Sequence, residues 1–311
     1  MSSFSVVGRR VPRVDGVELA IGEAIYASDV KLPHMLYGKI LRAERPHASL
    51  LNIDTGKAER LAGVKAVVTA ADTPKITWSL MQGEMATDKL LLADKKIRYT
   101  EDEVAAVAAI DEDTAEQALQ LIKVEYQELP AYFDPLQAMK PDSLLIHDHK
   151  PGNIAAQPNY SQGDIDKGFD QAEVIHEDEY FTGAVYHSCM ETHCCLAKFD
   201  FSGNLRLWTS TQSPHFLRKD LARVLDMPWE KIRVMKTQVG GGFGSKSRMN
   251  EVDAICAFLA KKSGRPVKIT YSRGEDFAAT RARHPTRHYI KMGIKKDGTI
   301  TAVENRVIVD A

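Results

Sequence analysis

Apolar and polar positions fall into two structured regions joined by a proline-rich stretch. In the first, from 20 to 132, "MLYGKILR" (35–42) alternates as a strand does. A short helical turn ends at Gly63, and "VKAVVT" (64–69) has the β-branched content of a strand. "EVAAVAAI" (103–110) is a continuous apolar run, as in a buried strand. In "TAEQALQLI" (114–122), Ala115, Ala118, Leu119 and Ile122 share one face of a helix that Asp113 and Thr114 begin. "KVEYQELPAY" (123–132) closes the unit as a strand. Strand, helix and strand in quick succession predict α/β or α+β packing.

Pro135, Pro141, Pro151 and Pro158 mark 133–162 as a connector, with His147 and His149 in a solvated loop. The second region, 163–311, opens with a long, mostly extended stretch. "NLRLWTSTQS" is a further strand, ended by Pro214. Phe216, Leu217, Leu221, Val224 and Leu225 then share a helical face. "KIRVMKTQV" is a strand, and "NEVDAICAFLAKK" a helix with Val252, Ile255, Cys256 and Leu259 as its stripe. Lys261, Lys262 and Gly264 suit that helix's end. "RPVKITYSR" follows as a strand, so the glycines at 240–244 form the turn of a strand–loop–helix–strand unit.

Composition narrows the function classes. The 311 residues suit two domains. The 41 basic and 42 acidic side chains nearly cancel, which argues against nucleic acid as a partner. No apolar run is long enough to span a membrane, and no polybasic run suggests a membrane surface. Arg9 and Arg10 resemble a twin-arginine signal, but Arg13, Asp15 and Glu18 interrupt its apolar core. Cys189, Cys194, Cys195 and Cys256 form no C-x-x-C pair and read as reduced thiols of a cytoplasmic protein.

"QVGGGFGSKSR" (238–248) is the most unusual composition in the chain. Lys246 and Ser247 match the end of a Walker A loop, but Ser245 stands where its second glycine belongs. Ser245 breaks the dinucleotide fingerprint at the same place. Glycines still let N–H groups approach a ligand, and a helix starting around 247–250 would favour an anion or oxo group there. Phe243 reads either as a ring pressed on a cofactor or substrate, or as a packing residue of a tight turn. "HSCMETHCC" (187–195) places His187, Cys189, Glu191, His193 and Cys195 on one face if it is a strand. Ligands along one line do not enclose a tetrahedral metal, so these residues read as ordinary structure, and Cys194 and Cys256 as small buried groups. Arg281, Arg283, His284 and Arg287 form a basic cluster, read as a solvated loop or as contacts to an anionic tail or a further part of the protein.

"TQVGGGFGSK" resembles the molybdenum-cofactor loop of the xanthine dehydrogenase and aldehyde oxidase family. "TSTQSPHFLRKDLARVLDMPWEKIRV", "CMETHCCLAKFD" and "SRGEDFAATRARHP" resemble segments around that loop. Upstream, 20–132 resembles the family's a/b hammerhead domain, so the resemblance covers nearly the whole chain. It implies an α+β fold: a hammerhead domain (20–132), a connector (133–162) and the first part of a molybdenum-cofactor-binding domain (163–311). "VAAVAAIDEDTAEQALQLIKVEYQELPAY" is similar to the alpha subunit of 4-hydroxybenzoyl-CoA reductase within the family.

The resemblance implies a molybdopterin cofactor, extended with cytidine in many bacterial members, whose dithiolene supplies the sulfur ligands. It implies that Gln212 hydrogen-bonds an oxygen ligand of molybdenum, and that the backbone of Gly241, Gly242, Phe243 and Gly244 approaches the centre. Phe243 would also line the substrate channel. Neither Gln212 nor Phe243 ligates the metal directly. Ser247 stands where purine-oxidising members carry an acid, which argues against a purine and leaves an aromatic acid, its thioester or an aldehyde open. Glu101 replaces a family glycine. The family's base glutamate lies in a C-terminal half with no match here, so no catalytic residue is assigned to this chain. The implied partners are that C-terminal half, an iron–sulfur subunit and an FAD subunit, with a small-molecule substrate hydroxylated, or dehydroxylated in a hydroxybenzoyl-CoA reductase variant. A non-catalytic fragment that binds partners is the alternative.

Overall fold

A computed structural model describes residues 4–78 and 89–310. The first region holds β1 (Leu36–Arg42), β2 (Ala48–Asp54), β3 (Val64–Thr69), β4 (Lys96–Ile97), β5 (Glu103–Ala109) and β6 (Lys123–Glu128). The second holds β7 (Val174–Thr182), β8 (Val185–Tyr186), β9 (Cys194–Phe199), β10 (Leu205–Thr209) and β11 (Ile232–Lys236). It continues with β12 (Val267–Thr270), β13 (Ala282–Arg283), β14 (Thr286–Ile294) and β15 (Ile300–Val309). The helices are α1 (Gly16–Ile21), α2 (Gly56–Glu59), α3 (Glu112–Leu121), α4 (Pro135–Ala138), α5 (Ile165–Asp170), α6 (Pro214–Val224), α7 (Glu251–Ser263) and α8 (Arg273–Ala278). No helix among the described residues is long and apolar enough to cross a membrane.

One seven-stranded sheet, in the order β11-β10-β9-β12-β1-β5-β3, draws on both regions. β1 is the seam, antiparallel to β5 and parallel to β12, with Leu36 beside Val267. The apolar run of β5 is buried at every residue, as its composition requires. Smaller sheets are β4-β2-β6 and β15-β14-β7, and β8 pairs with β13.

α7 packs on β9, β12, β3, β5 and α6. Val252 to Ala260 are all buried, so this helix is enclosed all round rather than along the one stripe its apolar spacing predicts. Gly264 ends it in the left-handed conformation, at φ 64°. Two further expectations shift. Asp111, not Asp113, caps α3 by accepting from the Thr114 N–H at 2.7 Å. Phe216 is half exposed and leaves the buried face of α6 to Leu217, Leu221 and Val224, with its ring 5.4 Å from the Arg248 guanidinium carbon. Glu101, in its turn ahead of β5, has φ 74°, the left-handed region that favours glycine.

A buried polar network crosses the seam. Arg42 Nη1 donates to Glu103 Oε1 (2.7 Å), and Lys89 Nζ lies 3.2 Å from Glu103 Oε2 and 2.5 Å from Glu251 Oε1. Inside α7, the Asp253 carboxylate accepts from the Asn250 N–H (2.9 Å) and from Thr209 Oγ1 (2.6 Å). Burial pushes Asp253 up to about 6, against the hydrogen bond from Thr209. An unfolded aspartate titrates near 3.9, roughly two units lower. The folded state therefore holds this proton more tightly. The stabilisation is fully present below about pH 4 and is lost as pH rises through about 6. The melting temperature should fall between pH 4 and pH 6.5 more steeply in the parent chain than in Asp253→Asn. Parallel curves from differential scanning calorimetry would refute the assignment.

Candidate cofactor site at the glycine loop

Residues between β11 and α7 make the loop, and side chains on two sides demand its glycines. A Cβ on Gly242 would lie 2.4 Å from Gln212 Cδ, and one on Gly240 would lie 2.6 Å from Glu191 Cβ. Neither approach admits a larger residue. Phe243 adopts φ 48° and is 77% exposed. A bulky residue held left-handed with its ring in solvent is costly backbone geometry with no packing reason. Among the described residues the Phe243 ring is not packed into a core.

Lys246 anchors the loop from beneath. Its side chain is fully buried, and Nζ donates to Glu191 Oε2 (2.9 Å) and to the Glu191 carbonyl (2.8 Å). The Gly240 N–H donates to the same Oε2 (2.9 Å), and the Glu191 N–H returns a bond to the Gly240 carbonyl (3.0 Å). Ser245, which breaks both nucleotide motifs, is buried and donates through Oγ to the Gly242 carbonyl (2.9 Å). The Walker-like lysine therefore points into the protein, away from any ligand above the loop.

The upper surface of the loop is open. Gln212 Oε1 accepts from the Gly244 N–H at 3.1 Å, and no described residue accepts from the Gln212 amide nitrogen. The N–H groups of Gly241, Gly242 and Phe243 likewise have no acceptor among the described residues. Three successive free N–H groups in a glycine turn make a concave anion or oxo receptor. Ser247 is half buried, and its Oγ donates to the Gly244 carbonyl (2.7 Å), closing the turn. Gln212, Gly241, Gly242, Phe243, Gly244 and Ser247 are thus brought together. The helix contributes less than its sequence position suggests: α7 starts only at Glu251, and Asn250 and Asp253 cap it.

Residues 187–193 correct a second expectation. They are not a strand, and Ser188 has φ 50°, so the five alternating residues share no face. Glu191 turns to Lys246, and His187 Nδ1 lies 3.1 Å from the Arg281 carbonyl. His193 donates from its N–H and from Nδ1 to Asp276 Oδ1, at 2.8 and 2.7 Å. Tyr186 donates to Asp276 Oδ2 (2.6 Å), and Arg273 bonds the carbonyls of Cys189 and Met190 at 2.8 Å. Burial acts to raise the Asp276 carboxyl, but hydrogen bonds from His193 and Tyr186 outweigh it and hold it down to about 2. All four cysteines are free and buried, and burial pushes the Cys194 thiol up to about 12. The basic cluster disperses: Arg281 donates inward to the Met249 carbonyl, Arg287 pairs with Glu179 at 3.2 Å, and Arg283 and His284 are exposed.

Sequence reasoning missed Glu191 and Asp276 as organisers of the loop. The readable signal was a lysine two positions after the last glycine, whose partner lies 55 positions upstream. Lys246→Met leaves Glu191 buried without its cation and should cost about 3–5 kcal/mol. Adding Glu191→Leu should recover part of that loss in urea denaturation. A single substitution that costs nothing would show the pair to be incidental.

Known proteins match this architecture along the whole chain. Residues 21–130 match the aldehyde oxidase and xanthine dehydrogenase a/b hammerhead domain, and residues 146–311 match the molybdopterin cofactor-binding domain. A probable xanthine dehydrogenase subunit from Bacillus subtilis is 38% identical over 96% of this chain, which spans 39% of that relative. The "Nicotinate dehydrogenase large molybdopterin subunit" of Eubacterium barkeri is 34% identical over 99% of this chain, which spans 71% of it. The solved aldehyde oxidoreductase of Desulfovibrio gigas superposes with a TM-score of 0.90 at 28% identity, over 96% of this chain and 34% of that one. With a hammerhead region, a cofactor-domain region and a glycine loop set against Gln212, the chain belongs to the xanthine dehydrogenase and aldehyde oxidase family of molybdenum-binding subunits.

Proposed function

We propose that this chain is the amino-terminal part of a molybdenum-dependent oxidoreductase large subunit, and that the loop 240–244 with Gln212 faces its molybdopterin. The observation that carries the reading is the row of unclaimed N–H groups at Gly241, Gly242 and Phe243 beside the unclaimed Gln212 amide. These donors fit a cofactor rich in oxygen acceptors. The four free cysteines are all buried, which fits a metal whose sulfur comes from the pterin and not from the protein. When bound, the group supplies a two-electron redox centre. This chain's residues orient it: the backbone donors hold acceptor atoms, and Gln212, fixed through its Oε1, aims its amide hydrogens.

Phe243 offers an exposed ring to a flat substrate at the rim. Ser247 places a neutral hydroxyl near it, already committed to the Gly244 carbonyl. A small aromatic, heterocyclic, thioester or aldehyde substrate fits this rim better than a purine needing an acidic partner. The remaining 61% of the Bacillus subtilis relative's length supports a C-terminal half that completes the site and brings the catalytic base. The shorter Eubacterium barkeri relative, itself named a subunit, supports delivery of that half as a separate polypeptide. An iron–sulfur subunit and an FAD subunit would receive the electrons, and a cytidine-extended pterin is the form proposed.

The complex should be purified with these partners and assayed for molybdenum, pterin and turnover. Gln212→Ala should retain the metal and lose turnover by roughly 10²–10³-fold, the usual effect of removing one oriented donor. Gly242→Ala, whose Cβ meets the Gln212 amide, should lower metal content as well. A complete complex without molybdenum or pterin would sink the proposal, as would Gln212→Ala turning over like the parent.

A further inference from the structure

A cavity of about 310 Å³ opens beside β4 and shares no lining residue with the glycine loop. Its wall comes from the run 89–102, which passes through β4 and turns toward β5, with His147 added from the connector. Leu90, Ala93 and Tyr99 supply its apolar part. Cations outnumber carboxylates on the wall: Lys89, Lys95, Lys96 and Arg98 stand against Asp94 and Asp102.

Most of these charges are already answered. Lys89 lies against Glu103 and Glu251, and Asp94 pairs with Lys75 at 3.0 Å. Lys96 Nζ donates to the Leu145 carbonyl (2.7 Å) and lies 3.3 Å from Asp148 Oδ1. Asp102 faces the Lys89 charge and accepts the Arg98 backbone N–H at 3.2 Å. Two cations are left over. The Lys95 side chain has no ion-pair or hydrogen-bond partner among the described residues. The Arg98 guanidinium has only the Lys96 carbonyl, 3.4 Å from Nη1, and its Nε is buried with no acceptor among the described residues. The nearest cross-strand neighbour of Arg98 does not help. β2 and β4 pair Ala48 with Ile97, which sets His47 opposite Arg98. His47 Nδ1 donates to the Pro130 carbonyl at 2.6 Å, and burial holds the ring below its usual pKa, with the charges of Lys96 and Arg98 acting the same way. A buried guanidinium N–H beside a neutral ring is short of an anion.

We propose that this cavity binds the phosphate group of a small organic phosphate, with Arg98 and Lys95 as its cations. A guanidinium presents paired N–H donors in the fork that matches an oxyanion, and Lys95 adds the second charge that a dianion requires. A monocarboxylate would leave one of the two cations unanswered. The volume lies at the lower end of the range for small-molecule sites and exceeds what a bare ion fills. Leu90, Ala93 and the Tyr99 ring then face the organic body. The inference does not rest on the molybdopterin reading. The glycine loop is itself an oxyanion receptor, so the test separates the two places.

Isothermal titration calorimetry on the full chain, in a buffer free of phosphate, uses phenyl phosphate and benzoate as probes. The parent should bind phenyl phosphate at a saturable site and benzoate roughly tenfold or more weakly. Arg98→Lys keeps the charge and removes the Nε–H, and Lys95→Gln alters an exposed position. Each should weaken phenyl phosphate roughly tenfold or more, the usual scale for one charge-assisted contact. Gly242→Ala, which crowds the glycine loop, should bind phenyl phosphate as the parent does. Matched thermal melts establish that the variants fold. Absence of saturable binding by the parent overturns the proposal, as does binding indifferent to both Arg98→Lys and Lys95→Gln. Binding lost in Gly242→Ala and kept in Arg98→Lys places the anion at the glycine loop and also overturns it. Benzoate that binds as tightly as phenyl phosphate refutes the phosphate assignment. None of these readouts depends on molybdenum or pterin, so this inference and the proposed function fail separately.

Discussion

The buried contact between Lys246 and Glu191 is the constraint on which the glycine loop depends. A loop with four glycines in five positions has little conformational preference of its own, and ordering it is entropically expensive. The clasp supplies the order. A single carboxylate oxygen of Glu191 receives both the Lys246 ammonium and the Gly240 N–H, tying the two ends of the turn to one point. Because both charges are removed from water, the pair tolerates little loss of geometry. The loop is thus held rigidly from below while its upper N–H groups stay unclaimed.

Glu191 can serve as an anchor only if its own segment is fixed, and that segment is irregular. The fixing comes from Asp276 in α8. Its two oxygens take bonds from His193 and Tyr186, while Arg273 of the same helix grips the carbonyls of Cys189 and Met190. A carboxylate saturated with donors stays ionised far below neutral pH, which keeps this support independent of ordinary changes in pH. Rigidity passes from α8 to residues 187–193, from there to Lys246 and Gly240, and finally to Gln212, whose backbone N–H bonds the Lys246 carbonyl at 2.8 Å.

This chain of support sets what could be read from sequence. β5 and α7 were legible because an apolar run and an apolar stripe report burial locally. The full enclosure of α7 was not, since Asp253 looks polar in the sequence and one of its two donors is Thr209, 44 positions away. The alternation in 187–195 imitates a strand, yet Ser188 breaks it with a backbone angle that residue types do not announce. Lys246 carries the same letter as a phosphate-binding lysine, and only distant Glu191 decides that it points inward. Gln212, Phe243 and the glycines were identified through family resemblance. Their physical reason, a 2.4 Å approach that excludes any Cβ at Gly242, is a tertiary fact.

The sheet explains why these pieces meet at all. β10, β11 and β12 run parallel, because β10 pairs parallel with β11 and both β10 and β12 pair antiparallel with β9. Gln212 follows the end of β10, the glycine loop follows β11, and α8 with Asp276 follows β12. In a mixed α/β sheet the carboxyl ends of parallel strands are where loops converge on a ligand. β1, parallel to β12, ends at Arg42 on the same side, and antiparallel β5 begins there with Glu103. The charged network of Arg42, Glu103, Lys89 and Glu251 therefore underlies the same edge as the glycine loop. The first region does more than precede the second. By inserting β1 next to β12 it brings the charge of Arg42 and Glu103 to the edge where those loops converge.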